Sequence, residues 1–130
     1  MSISLRVEIS VGEAADKITI LRIKADRIAE PYKLRNVHRE LAILEAAWQK
    51  AAITHPRVEE LTAELHTINE TLWDLEDDIR QHERKGNFGE TFIVLARQIY
   101  KTNDRRAHVK RRLNELTASA LAEEKSYQDE

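Results

Sequence analysis

The stretch "HERKGNFGETF", His82 to Phe92, decides how this chain folds. Before it, Val58, Leu61, Leu65, Ile68, Leu72, Leu75 and Ile79 step by three and four. After it, Phe92, Leu95, Ile99, Thr102, Arg106, Val109, Leu113, Leu116 and Ala120 do the same. That spacing puts one apolar stripe on each of two long helices. Gly86 fits the end of the first, where a left-handed residue closes a helix without a Cβ penalty. The turn "KGNFG" is too short for any easy path except an antiparallel hairpin. At 1.5 Å per residue, a first arm of about 30 residues is about 45 Å long. The second arm is expected to run from about Glu90 to Ala122.

Upstream, Ile3, Leu5, Val7 and Ile9 alternate with Ser2, Ser4, Arg6 and Glu8. Period two marks a short strand or extended arm, which must pair elsewhere, lie across helices or stay irregular. Ser10 with Glu13 has capping-box spacing, so a first helix starts there and runs to about Ala29. Val11, Ala14, Ile18, Leu21, Ala25 and Ile28 give it one apolar face; Ile20 and Ile23 give it a nearly opposite one. Two apolar faces predict a central helix, or one shared with a second subunit. Pro31 breaks the chain, and Leu34, Val37, Leu41, Leu44, Trp48 and Ala51 mark a second helix. "THPR" ends it, with Pro56 in the first turn of the third.

The expected fold is therefore all-α: a four-helix, coiled-coil-like bundle in one domain over residues 1–130. Residues 2–9 form an extended arm and 123–130 a frayed acidic tail. The composition agrees, with 42% hydrophobic and 34% charged residues, three glycines and two prolines in 130 residues. A formal net charge of −2 gives no global basic field, so nucleic acid is not the expected partner. The absence of cysteine rules out disulfides and thiolate metal sites and suits a reducing cytoplasm. The start "MSISLRVEIS" is not a signal peptide, and no stretch reaches the ~20 apolar residues of a membrane span. The first two helices are too short to cover the hairpin end to end, which predicts a homodimer.

Thr102 and Arg106 interrupt the apolar seam of the fourth helix. Reflection of the hairpin through residue 87 sets Leu72 opposite Thr102 and Ile68 opposite Arg106. Beside the seam, Asn69, Trp73, Glu76 and Arg80 form one strip; Tyr100, Asn103, Lys110 and Asn114 belong to another. Both strips fall on one face of the hairpin, with Arg106 at its edge. The first helix, carrying Asp16, Lys17, Thr19, Lys24 and Arg27, is expected to pack there. A seam arginine needs acceptors for its donors, and Glu70, Glu76 and Asp104 are the expected ones. The first reading of this face is a polar network that sets helix register. The second is a pocket for an anionic nucleotide or phosphosugar. Arg106, Lys110 and Arg80 would then supply charge, and Trp73 and Tyr100 a stacking wall.

Other patterns are weaker. Glu70, Asp74 and Asp77 share a face and could hold Mg²⁺, though a solvated face is the favoured reading. Arg97, Lys101, Arg105, His108 and Arg112 make an outward basic stripe, read likewise as solvated. The histidines show no dense ligand spacing, and there is no phosphate-cradling glycine loop, GxSxG motif or cysteine nucleophile.

The blocks "DKITILRIK", "NETLWDLEDDIR", "GNFGETFIVLARQIYKTNDRRAHVKRRLNEL" and "EEKSY" together resemble a small bacterial family of unknown function. The resemblance covers nearly the whole chain and implies a stand-alone cytoplasmic helical protein without an assigned activity. The blocks contain Asp16, Lys17, Lys24, Asn69, Trp73, Glu76, Arg80, Tyr100, Asn103, Asp104, Arg106 and Lys110. The expected function is a helical binding or scaffold protein acting through protein–protein contacts; the alternative is the anionic-ligand pocket.

Overall fold

A computed structural model describes residues 2–119. It contains four α-helices: α1 (Val11–Arg27), α2 (Pro31–Lys50), α3 (Pro56–Lys85) and α4 (Glu90–Leu116). Among the described residues there is no strand. The expected tail, residues 123–130, lies outside them.

The hairpin closes as its turn predicts. Gly86 sits at φ +69°, its N–H donates to the Glu83 carbonyl at 3.1 Å, and the Asn87 N–H donates to His82 at 2.9 Å. These bonds satisfy the last carbonyls of α3 and turn the chain back. At the start of α3, Pro56 needs no N–H partner and the His55 ring nitrogen Nδ1 accepts from the Arg57 N–H.

The core is built by α1, α3 and α4. Val58, Leu61, Leu65, Ile68 and Leu72 of α3 pack with Val109 and Leu113 of α4 and Ala15 of α1. Helix α1 is central, as its two apolar faces require: it packs against α2, α3 and α4. Ala15, Ile18 and Leu21 are buried on one side and Ile23 on the other. The backbone of α2 approaches α1 alone, with Val37 its one buried residue and Trp48 packed against the core from the far end.

Two helices stop short of expectation. α1 ends at Arg27 because Glu30 precedes Pro31 and is held extended, at ψ 121°, so the helix cannot continue through the break. α4 ends at Leu116, short of Ala122. There Ala118 turns into the left-handed region and the Ser119 N–H returns to the Asn114 carbonyl at 2.9 Å.

These ends determine what is covered. Helix α1 spans about 25 Å against about 45 Å for α3. The α3 seam is buried as far as Leu72, while Leu75 and Ile79 beyond it are half-buried. On α4 and the turn, Phe88, Ile93, Val94 and Tyr100 are exposed. Phe88 and Phe92 meet edge-to-face at the tip, their centroids 5.3 Å apart. In the N-terminal arm Ile3 is 92% and Leu5 87% exposed, and residues 2–9 carry no regular structure.

Candidate functional site

The site begins where α1 meets α4. Gly12 lies against α4 so closely that a Cβ there would sit 2.4 Å from the Lys110 carbonyl oxygen. Only glycine permits that approach. The Gly12 N–H donates to Asn114 Oδ1 at 2.7 Å, Val11 N–H to Ser119 Oγ at 3.2 Å and Glu13 N–H to Ser10 Oγ at 3.0 Å. Three of the orphan donors at the start of α1 are thus satisfied, two of them by the far end of the chain.

One turn on stands Asp16, 1% exposed. Its Oδ1 accepts from Arg106 Nε and from Asn69 Nδ2, both at 2.9 Å. Its Oδ2 accepts from Arg106 Nη2 at 2.5 Å, with Lys110 Nζ 3.5 Å away. Lys110 in turn donates to Glu13 Oε2 at 2.9 Å. Asn69 also donates to Thr19 Oγ1 at 2.9 Å, and that hydroxyl donates to the Asp16 carbonyl at 2.8 Å. Burial alone would push the Asp16 carboxyl up. The hydrogen bonds from Arg106 and Asn69 and the charges of Arg106 and Lys110 outweigh it and hold the carboxyl below its ordinary value. Among the described residues, two carboxylates, Glu13 and Asp16, thus face two cations, Arg106 and Lys110.

The seam arginine is therefore explained by α1. Of the acceptors expected for it, Glu76 meets Arg80 at 3.4 Å, Glu70 meets His66 at 3.7 Å, and Asp104 is exposed. The carboxylate that closes its fork is Asp16, which the sequence reading placed on the packing helix but did not pair. A signal was there: Gly12, Asp16, Thr19 and Ile23 fall within one narrow strip of α1, and an acid between small and apolar residues needs a buried partner. Glu13 and Asn114 belong to the same network.

Beside it lies a cleft of about 410 Å³ between α1, α3 and α4. Asn69, Trp73, Glu76, Asn103 and Arg106 line it with Ile20, Ile23, Leu72 and Asp77. Five of the expected ligand-binding residues thus share one concavity. The others lie elsewhere. Lys110 is buried among Glu13 and Asp16, Arg80 is exposed against Glu76, Lys17 and Asp104 are exposed, and Lys24 is half-buried. Tyr100 is exposed just past the reach of α1, so guanidinium and indole share the cleft and the phenol stands outside it. The Arg27 guanidinium lies 5.7 Å from the centre of the Trp73 ring and bonds Asp74 at 2.6 Å. With Asp74 and Glu70 so engaged, no group of three or more acidic or histidine side chains among the described residues converges to hold a metal ion.

A second, larger cleft of about 780 Å³ opens between α1, α2 and the start of α3, with Trp48, His55 and His66 among its walls. No sequence pattern announced it, because it lies where the backbone of α2 approaches only α1 among the described helices.

A sequence profile of a family of unknown function, DUF6165, matches residues 5–130. The chain belongs to that family. The DUF6165 match spans all four helices and so includes every residue of the Asp16 network. No curated protein and no solved structure matches the chain. Among the described residues, no helix is long and apolar enough to cross a membrane.

Proposed function

We propose that the protein is a helical binding or scaffold protein that acts through protein–protein contacts, with a second copy of itself as the first partner. The observation that carries this reading is the apolar surface beyond the end of α1. Phe88, Ile93, Val94 and Tyr100 are about half exposed there, on the part of the hairpin that no third helix covers among the described residues. A contiguous apolar surface is a recurrent mark of interaction sites. Two hairpin ends packed side by side about a twofold axis would complete a four-helix, coiled-coil-like arrangement and cover this surface on both copies. The arm adds a second apolar element, Ile3, Leu5 and Val7, whose alternation suits strand addition to a partner. A chain without cysteine fits a reducing compartment such as the cytoplasm.

An anionic nucleotide or phosphosugar on the mixed face is the less favoured reading. The cations it would need, Arg106 and Lys110, are engaged by Asp16 and Glu13. An incoming anion would have to displace the buried Asp16 carboxylate and that of Glu13.

Sedimentation equilibrium on the whole chain tests the proposal. The wild type is expected at twice the chain mass at micromolar concentration, and Ile93→Glu with Val94→Glu at the monomer mass with unchanged helicity. A monomeric wild type sinks the second copy as partner.

A further inference from the structure

We infer that the cleft between α1, α3 and α4 is a binding site for a small organic cation, an ammonium or guanidinium head on an apolar or flat body. The argument is an inventory of the polar atoms that reach it. Asn69 is 5% exposed and its amide orientation is fixed. The carboxylate of Asp16 can only accept, so Nδ2 must face Asp16, where it also reaches Thr19. Asn69 Oδ1 accepts no hydrogen bond among the described residues. Every fully buried side-chain nitrogen and oxygen there has a partner. Oδ1 therefore meets solvent, and the cleft is where Asn69 does so. A nearly buried carbonyl oxygen, held in place from behind, asks for a donor.

The charges agree. Glu76, itself paired with Arg80 at 3.4 Å, and Asp77 line the cleft as carboxylates, and Asp77 has no salt bridge among the described residues. Among the described residues the one cation in the lining is Arg106, held in two bonds by Asp16 behind it and donating to Asn103 Oδ1 at 3.4 Å. Two carboxylates against one guanidinium give the described lining a net negative charge, which disfavours an anion and draws a cation. Its remaining wall is apolar: Ile20, Ile23, Leu72 and the Trp73 indole. An indole attracts cations through its π face, and the Arg27 guanidinium already lies 5.7 Å from the centre of this ring. A volume of about 410 Å³ suits a ligand of a few to a dozen or so heavy atoms.

The cation has two sources, a free amine or amidine and the lysine or arginine side chain of another protein. NMR titration of the full ¹⁵N-labelled chain tests the site. The readouts are the Trp73 indole N–H, identified by its loss in Trp73→Phe, and the Asn69 and Asn103 side-chain amides. Benzamidine and agmatine represent free cations, an unstructured arginine-containing tripeptide amide the side-chain source, and inorganic phosphate and ADP the anionic class. Either cationic arm is expected to shift those three signals saturably. The apparent Kd should rise at least tenfold in Glu76→Gln with Asp77→Asn, both at or near the surface and so replaceable without unfolding. A response to the free amines alone assigns the site to a metabolite, and a response to the tripeptide alone assigns it to a protein side chain. Three results overturn the inference: no shift with any cation at millimolar concentration, shifts of equal affinity in the double variant, or saturation by phosphate or ADP in place of the cations.

Discussion

Arg106 on α4 grips Asp16 on α1 through two parallel hydrogen bonds, across a sequence separation of 90 residues. This pair joins α1 to the hairpin, and its geometry dictates what its loss should do. Removing Asp16 alone, as in Asp16→Ala, takes away the carboxylate that Arg106 bonds twice and that Lys110 faces at 3.5 Å. The cost should be about 3 kcal/mol, at the low end for breaking a buried pair because Arg106 keeps some contact with water. Replacing both, Asp16→Leu with Arg106→Leu, should recover most of that, since apolar replacement of a whole buried pair is often neutral. Urea denaturation of the two variants and the wild type measures both effects.

Stability should fall in acid through the same residue. The Asp16 carboxyl is held below its ordinary value in the folded chain, so its contribution is complete above the unfolded pKa of about 3.9 and disappears as pH drops through the lower folded value. Urea midpoints measured from pH 5 down to pH 2.5 should decline below about pH 4. The decline should be shallower in Asp16→Asn, which has no such proton to take up.

Gly12→Ala isolates the approach of α1 to α4. Alanine favours a helix over glycine by about 1 kcal/mol, so a free helix would gain. Here the new Cβ meets the Lys110 carbonyl oxygen, a backbone atom, at 2.4 Å. Forcing the helices apart should cost about 1–3 kcal/mol, leaving the variant less stable despite its propensity. A lowered melting temperature checks the sign.

Asn114→Ala removes the acceptor for the Gly12 N–H at 2.7 Å. Loss of a capping partner costs about 1 kcal/mol. The Gly12 amide should exchange with deuterium markedly faster, while amides in the middle of α3 keep their protection. Site-resolved hydrogen exchange separates this local opening from global destabilisation.

The helices, the Gly86 turn and the central place of α1 were legible because each follows from local spacing. The Asp16 pairing was not. Angular position on a helix says which residues share a face, and reflection through a short turn gives the axial register of two arms. Neither gives the height at which a third helix docks, and here Gly12 against Lys110 sets it. Tyr100 was misplaced for a related reason. It lies on the same strip as Asn103, yet α1 ends at Arg27, so the strip is roofed over at Asn103 and open at Tyr100. The half of the network on α4 was found because Arg106 violates an apolar pattern. The half on α1 was harder to see because a buried aspartate beside Lys17 looks like ordinary surface charge.

The packing of α2 on α1 alone among the described helices has a thermodynamic sequel. Three rods interlock around Leu65 and Leu113, whereas the fourth touches their frame along α1 and through the indole of Trp48. Such a body melts on two scales: the outer strut can lift away at modest cost while the interlocked trio stays whole. Lifting it would widen the cleft under Trp48, so the larger of the two clefts is bounded by the helix that can lift.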